Sequence, residues 1–165
     1  MRVLTDEEIR GLINEHKPCP EDWRERLTPR VVAGARDHRG ELELVGTGDH
    51  SFTILTRLNQ IDRRDFSVIL RFNDVDGEGY RLMRCNGPSH PHTNAVEGTH
   101  VSFEPHVHRA TETYQLAGYR IDGYAEGSDG FTDFWGAVTC LFALGNCQTP
   151  PEAQLSMEAL EIGDM

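Results

Sequence analysis

Histidines are concentrated in one short segment of the chain. Five of the eight lie within residues 90–108, and four of these form two His-x-His pairs, His90/His92 and His106/His108. Residues i and i+2 of an extended chain point to the same side, so each pair can present two imidazoles to one point. Imidazole both ligates metals and exchanges protons near neutral pH. This segment is therefore the predicted functional site, and its histidines are expected to be exposed.

Arginine and helix-starting residues flank the histidines on both sides. Arg84 ends a predicted strand just before His90, and Thr111, shortly after His108, should start a helix whose first amides attract anions. Arginine can hold a phosphate while one histidine accepts a proton and another donates one. The pattern predicts a small hydrolase acting on a phosphodiester in RNA or a nucleotide. Its predicted catalytic residues are His90, His92, His106, His108 and Glu112, and its predicted phosphate-binding residues are Arg84, Arg109 and Thr111.

A metal-binding function competes with this interpretation. His90 and His92, followed after four intervening residues by Glu97, resemble the first metal motif of the cupins, H-x-H-(x)4-E. Such ligands suit one divalent transition metal with an open position for substrate. Pro91 favours a turn over a barrel strand, and the second cupin motif is missing from the sequence. The alternative is thus a metal-binding or ligand-binding module without hydrolysis, and the cofactor is either none or one divalent transition metal.

A broader resemblance runs through the same motifs. Its segments are 66–70, 82–87, 89–94, 106–115 and 123–126, and their polar part follows the pattern RxNGxSHxHTN…HxHxATExYQ. These segments resemble an uncharacterised family of small bacterial and mobile-element proteins over about residues 5–147. The resemblance implies one compact domain and no particular reaction. By analogy, a mobile-element setting suggests a toxin or a phage-conflict protein.

The elements that must position these residues are mainly strands. Period-two alternation and turn residues predict strands over 30–38, 41–45, 51–57, 66–72 and 80–85, with a turn at Arg39-Gly40. Helices are predicted over 6–16, 111–116 and 131–144. The fold class is α+β, a single antiparallel meander of about five strands with helices packed on one face. Residues 1–148 form the predicted domain and 149–165 an acidic C-terminal tail.

Composition limits the partners. The 165 residues carry a net charge of −11, the start lacks an apolar signal core, and four scattered cysteines form no disulfide framework, so a reduced cytoplasmic protein is expected. No apolar run approaches the roughly 20 residues of a membrane span. An acidic chain repels nucleic acid at long range, which favours a local site for a small substrate. Nine acids against two arginines after residue 108 make a basic protein the candidate partner of the C-terminal third, and Arg63, Arg64 and Arg81 are interpreted as solvent-exposed.

Overall fold

The computed structural model describes residues 1–151, which form eleven strands and four helices. In chain order they are α1 Asp6–Asn14, β1 Lys17–Pro18, α2 Trp23–Leu27, β2 Arg30–Val31, β3 Asp37–Val45, β4 Ser51–Asn59, β5 Phe66–Asn73, β6 Gly79–Asn86, β7 His92–Thr93, β8 His100–Val101, β9 His106–Arg109, α3 Glu112–Leu116, β10 Tyr124–Gly127, α4 Phe134–Leu144 and β11 Cys147–Gln148. The predicted acidic tail lies almost entirely outside the described residues. No helix in the described part of the chain is long and apolar enough to cross a membrane.

The main sheet confirms the α+β class but is larger than predicted. Seven antiparallel strands follow the order β2-β3-β4-β5-β6-β9-β10, so the meander continues past its five predicted strands. Strands β9 and β10 have four residues each, too few for a clear alternating pattern in the sequence. The segment 87–105 leaves the sheet after β6, forms the short hairpin β7–β8, and returns as β9.

The turn predicted at Arg39-Gly40 is wrong, because both residues lie inside β3, opposite Arg57 and Thr56 of β4. Gly40 serves close packing instead. A Cβ there would lie 2.7 Å from the carbonyl oxygen of Leu27, so only glycine lets the end of α2 approach the strand.

One face of the sheet forms the core. Phe66, Val68, Leu70 and Phe72 of β5 are at most 4% exposed, as their alternation predicts. Helix α4 covers this face, and the Phe134 ring meets Phe66 at a centroid distance of 6.3 Å. The other face carries mainly polar side chains in β4, β5, β6 and β9, together with Leu55 and Ile69, and is called the open face below.

Candidate functional site

The two histidine pairs, predicted together as catalytic residues, meet in space. Ring centroids lie 5.3 Å apart for His90 and His106, 4.6 Å for His92 and His108, and 5.2 Å for His106 and His108. The segment 87–105 makes this possible because it leaves the sheet at the end of β6 and returns beside the same strand as β9. All four imidazoles therefore belong to one cleft, called here the histidine cleft.

The pairing of β9 with β6 decides which side chains enter the cleft. His106 stands opposite Asn86 and His108 opposite Arg84, so these four residues share the open face of the sheet. Arg109 is one residue beyond His108, and strand alternation directs it to the helix-covered face. This placement gives no support to its predicted phosphate-binding role. Arg84 is the predicted phosphate ligand that does reach the imidazoles.

Main-chain carbonyls fix the tautomers of the two buried histidines. His106 Nδ1 donates to the carbonyl of Glu104 at 2.9 Å, and His108 Nδ1 donates to the carbonyl of Asp122 at 2.8 Å. A carbonyl oxygen only accepts, so Nδ1 carries the hydrogen and Nε2 carries the lone pair in the neutral ring. Both Nε2 atoms are buried without a hydrogen-bond partner in residues 1–151. His106 and His108 are 0% and 2% exposed, so the expectation of exposed rings is wrong for them.

His92 has the opposite tautomer. Its Nε2 lies 2.7 Å from the carbonyl of Gly123 and 3.1 Å from Asn94 Oδ1. The Asn94 amide is oriented by Ala125, whose N–H donates to Oδ1 and whose carbonyl accepts from Nδ2. Both neighbours of Nε2 are therefore acceptors, so Nε2 is the donor and Nδ1 carries the lone pair. His90 is exposed, with Nδ1 at 3.2 Å from Ser89 Oγ.

Burial keeps the inner imidazoles neutral. Loss of solvent, reinforced by the charge of Arg84, lowers the pKa of His108 to about 2. Burial also lowers the pKa of His106 and that of His90. A neutral ring is the form that accepts a proton or ligates a metal.

A buried ion pair borders the rings and was not predicted. Arg84 Nε lies 3.3 Å from Asp122 Oδ2, and Arg120 Nε lies 3.7 Å from Asp122 Oδ1. Asp122 is 1% exposed, and burial lowers the pKa of Arg84 despite this carboxylate. No short-range sequence pattern joins Asp122 to Arg84, because the two meet only when β9 pairs with β6 and the chain after α3 folds back.

Unsatisfied polar atoms are concentrated here. Of seven buried side-chain nitrogen and oxygen atoms without a hydrogen-bond partner in the described part of the chain, five lie in this cleft. They are Arg84 Nε, His106 Nε2, His108 Nε2 and both carboxylate oxygens of Asp122. Arg84 Nε and the two Asp122 oxygens take part in the ion pairs described above, whereas the two imidazole Nε2 atoms have neither a hydrogen bond nor an ion pair among the described residues. Native interiors rarely leave such atoms unpaired without a functional reason. A cavity of about 200 Å³ adjoins them, lined by Arg84, Asn86, His90, His92, His108, Arg120 and Gly123.

Three other predicted site residues are engaged elsewhere. Thr111 Oγ1 accepts from the amide of Tyr114 at 3.1 Å, and the Glu112 carboxylate accepts from the amide of Asp6 at 3.4 Å. Glu97 Oε2 accepts from the Tyr114 hydroxyl at 2.9 Å. None of these contacts involves an imidazole of the cleft. Within residues 1–151, no three His, Cys, Asp or Glu side chains are arranged to hold a metal ion.

Comparison of the chain with protein families, curated proteins and solved structures found no match. Its function must therefore be inferred from the chemistry of the cleft. That chemistry consists of neutral imidazoles with free lone pairs, one buried guanidinium, and a cavity that contacts both.

Proposed function

We propose that the histidine cleft hydrolyses a phosphodiester in RNA or a nucleotide. The observation that carries the proposal is the position of Arg84 in the same cavity as the imidazoles, with the unpaired Nε2 atoms of His106 and His108 beside it. A guanidinium binds phosphate oxygens through directed donors, and a neutral imidazole accepts a proton. The two functions are needed within a few ångströms of each other in phosphodiester cleavage.

The roles follow from the tautomers. Arg84 holds the non-bridging oxygens, and Asp122 at 3.3 Å fixes the direction of its guanidinium. Nε2 of His108 takes the proton of the attacking hydroxyl or water, because that atom carries the lone pair. His92 can act as the acid only after its Nδ1 lone pair takes a proton from solvent; it then gives that proton to the leaving oxygen and returns to the neutral ring, whose Nε2–H donates to the Gly123 carbonyl. Solvent removes the proton from His108 Nε2 to complete the cycle. A bound phosphate raises the pKa of the rings it touches and so offsets the effect of burial.

The substrate class is consistent with the charge of the chain. A net charge of −11 opposes coating by long nucleic acid, whereas a local arginine can still bind one phosphate strongly. Cleavage of cellular RNA is the activity expected of a toxin or a phage-conflict protein, the setting that the sequence resemblance suggests.

The test is hydrolysis of a ribodinucleotide by the purified protein and by two matched variants. His108→Gln should lower kcat by about 100- to 10,000-fold, the usual contribution of a general base. His100→Gln is the control, because His100 is exposed and bonds only to Thr93 among the described residues, so its rate should equal that of the wild type. Equal rates for both variants, or no cleavage by the wild type, would contradict the proposal.

Binding of one divalent transition metal is the second candidate function. Histidines that ligate metals usually donate their other ring nitrogen to a carbonyl or carboxylate, as His106 and His108 do here. Against it stands the lack of a three-residue metal group in the described residues, including the predicted set His90, His92 and Glu97. Elemental analysis of the purified protein separates the two, since a stoichiometric transition metal lost in His108→Gln and kept in His100→Gln would favour the metal.

A further inference from the structure

The open face of the main sheet leads directly away from the histidine cleft. Pairing across β4, β5, β6 and β9 aligns two rows of side chains on this face. One row is Arg57, Ser67, Asn86 and His106, and the other is Leu55, Ile69, Arg84 and His108. With strands about 4.8 Å apart, each row spans roughly 14 Å from β9 to β4.

A groove occupies this face. Its volume is about 520 Å³, and its lining includes the four arginines Arg39, Arg57, Arg81 and Arg84 together with Leu55 and Ile69. Arg84 also lines the cavity of the histidine cleft, so the two spaces meet at this side chain. We call the larger space the arginine groove. A molecule held by Arg84 in the cleft can therefore continue along the sheet.

The groove is positively charged within an acidic protein. In the described part of the chain, the side chains of Arg39 and Arg81 form no ion pair or hydrogen bond, whereas that of Arg57 is held by Asp37 at 3.2 Å and Asp65 at 2.7 Å. Arg81 was interpreted from the sequence as simply solvent-exposed, but it is half-buried and faces this groove. Glu41 is the one acidic residue among the lining side chains. Two arginine side chains without an ion-pair partner therefore face one carboxylate in the groove, which leaves an excess of positive charge for an anion.

The floor between the arginines is apolar. Leu55 and Ile69 are paired neighbours on β4 and β5, and Ile69 is only 8% exposed. Alternating cations and apolar surface match a nucleotide chain, which alternates phosphates with bases. The lining residues include no aromatic side chain, so base stacking is weak and phosphate contacts should dominate. Binding with little sequence preference is expected.

We propose that the arginine groove holds single-stranded RNA on one side of the phosphate that occupies the histidine cleft. Arg39 and Arg81 contact flanking phosphates, and Leu55 with Ile69 supports the bases between them. A nucleic-acid strand carries one phosphate for about every 3.4 Å of duplex axis, so roughly 14 Å accommodates more than one phosphate even when the strand is stretched. The inference rests on the proposed function only in assuming that a phosphate of the RNA occupies the histidine cleft. Binding of RNA in the arginine groove is measured independently of cleavage.

The test measures binding of a fluorescein-labelled single-stranded RNA of about ten nucleotides by fluorescence anisotropy at several salt concentrations. The double variant Arg39→Ala/Arg81→Ala should bind at least about tenfold more weakly, and the slope of log K against log salt should fall by about 1.4 for two lost phosphate contacts. Arg10→Ala is the matched control, because Arg10 is an exposed arginine on α1 outside the groove. Its affinity and salt slope should equal those of the wild type.

The outcomes separate this inference from the proposed function. If the double variant bound RNA with the same affinity and the same salt dependence as the wild type, the proposed role of the arginine groove would be wrong. Ribodinucleotide cleavage without any tighter binding of the longer RNA would also overturn it while leaving the proposed function intact. Weakened binding in the double variant, with no cleavage of any probe by the wild type, would support the groove and contradict the hydrolase.

Discussion

Two regions of the protein bury polar groups, but only one of them supplies those groups with hydrogen-bond partners. Lys17 is 0% exposed, and its Nζ lies 2.7–2.9 Å from four main-chain carbonyls. Those carbonyls belong to Leu12, Ile13, Glu15 and Gly145. In the histidine cleft, by contrast, five buried polar atoms have no hydrogen bond among the described residues, and two of them, Nε2 of His106 and of His108, have no ion pair either.

The difference separates a structural site from a binding site. The carbonyls around Lys17 come from the C-terminal ends of α1 and α4, where helices leave acceptors unpaired and a cation is stabilising. Lys17 therefore joins two helix ends, and nothing further can bind there. The cleft keeps lone pairs and a guanidinium available at the edge of a cavity, which folding alone does not require.

The largest expected effect is on the structural site. Lys17→Met should lower the free energy of unfolding by about 3–5 kcal/mol, because it removes the donor from several buried carbonyls at once. Urea denaturation measures the change. Arg10→Met on the exposed side of α1 is the control and should shift stability by no more than about 0.5 kcal/mol. A loss below about 1 kcal/mol for Lys17→Met would mean that water replaces the ammonium, and the contrast with the cleft would weaken.

The features of the fold and of the cleft that depend on local sequence pattern can be predicted from the sequence. The alternation of Phe66, Val68, Leu70 and Phe72 correctly identifies the buried face of β5. The helix predicted over 6–16 begins where α1 begins, and Thr5 Oγ1 caps it there by accepting from Glu8 N at 3.1 Å. The two His-x-His pairs likewise identify the cleft, since their spacing alone puts each pair on one side of an extended chain.

What depends on tertiary contact could not be predicted. The burial of His108 arises because β9 lies between β6 and β10, and a four-residue strand leaves no periodic signal. The ion pair of Arg84 depends on the loop that brings in Asp122, and the position of Arg81 in the arginine groove depends on strand register. Lys17 stands between His16 and Pro18, and nothing in that neighbourhood indicates four carbonyls from two helix ends.

A second, smaller effect is expected from pH. His108 has a pKa of about 2 when folded and near 6.5 when unfolded, so below pH 6.5 the unfolded chain binds a proton that the folded chain does not. Stability therefore falls as the pH is lowered from 6.5 toward 2. At pH 5 the cost from this ring is about 2 kcal/mol, since each pKa unit corresponds to about 1.36 kcal/mol.

Urea denaturation of chelator-treated protein at pH 7 and pH 5 measures this loss. In His108→Leu the loss between the two pH values should be about 2 kcal/mol smaller than in the wild type. Lys17 provides no comparable term in this range, because burial lowers its pKa only to about 8 and it stays charged between pH 5 and 7. Equal losses in wild type and His108→Leu would show that the ring is protonated in the folded protein.

The smallest expected effect is the stability change of His108→Leu at pH 7.5. The substitution removes the Nδ1–H bond to the Asp122 carbonyl, which costs about 1 kcal/mol, but it also removes an unpaired buried Nε2 and adds apolar contact. The two contributions nearly cancel, so the free energy of unfolding should change by less than about 1 kcal/mol while ribodinucleotide cleavage falls by about 100-fold or more. His100→Leu, on the exposed surface of the same segment, should change neither quantity. If His108→Leu lowered the free energy of unfolding by about 3 kcal/mol or more, His108 would be a structural residue like Lys17. A residue whose role is binding is expected to contribute little to stability.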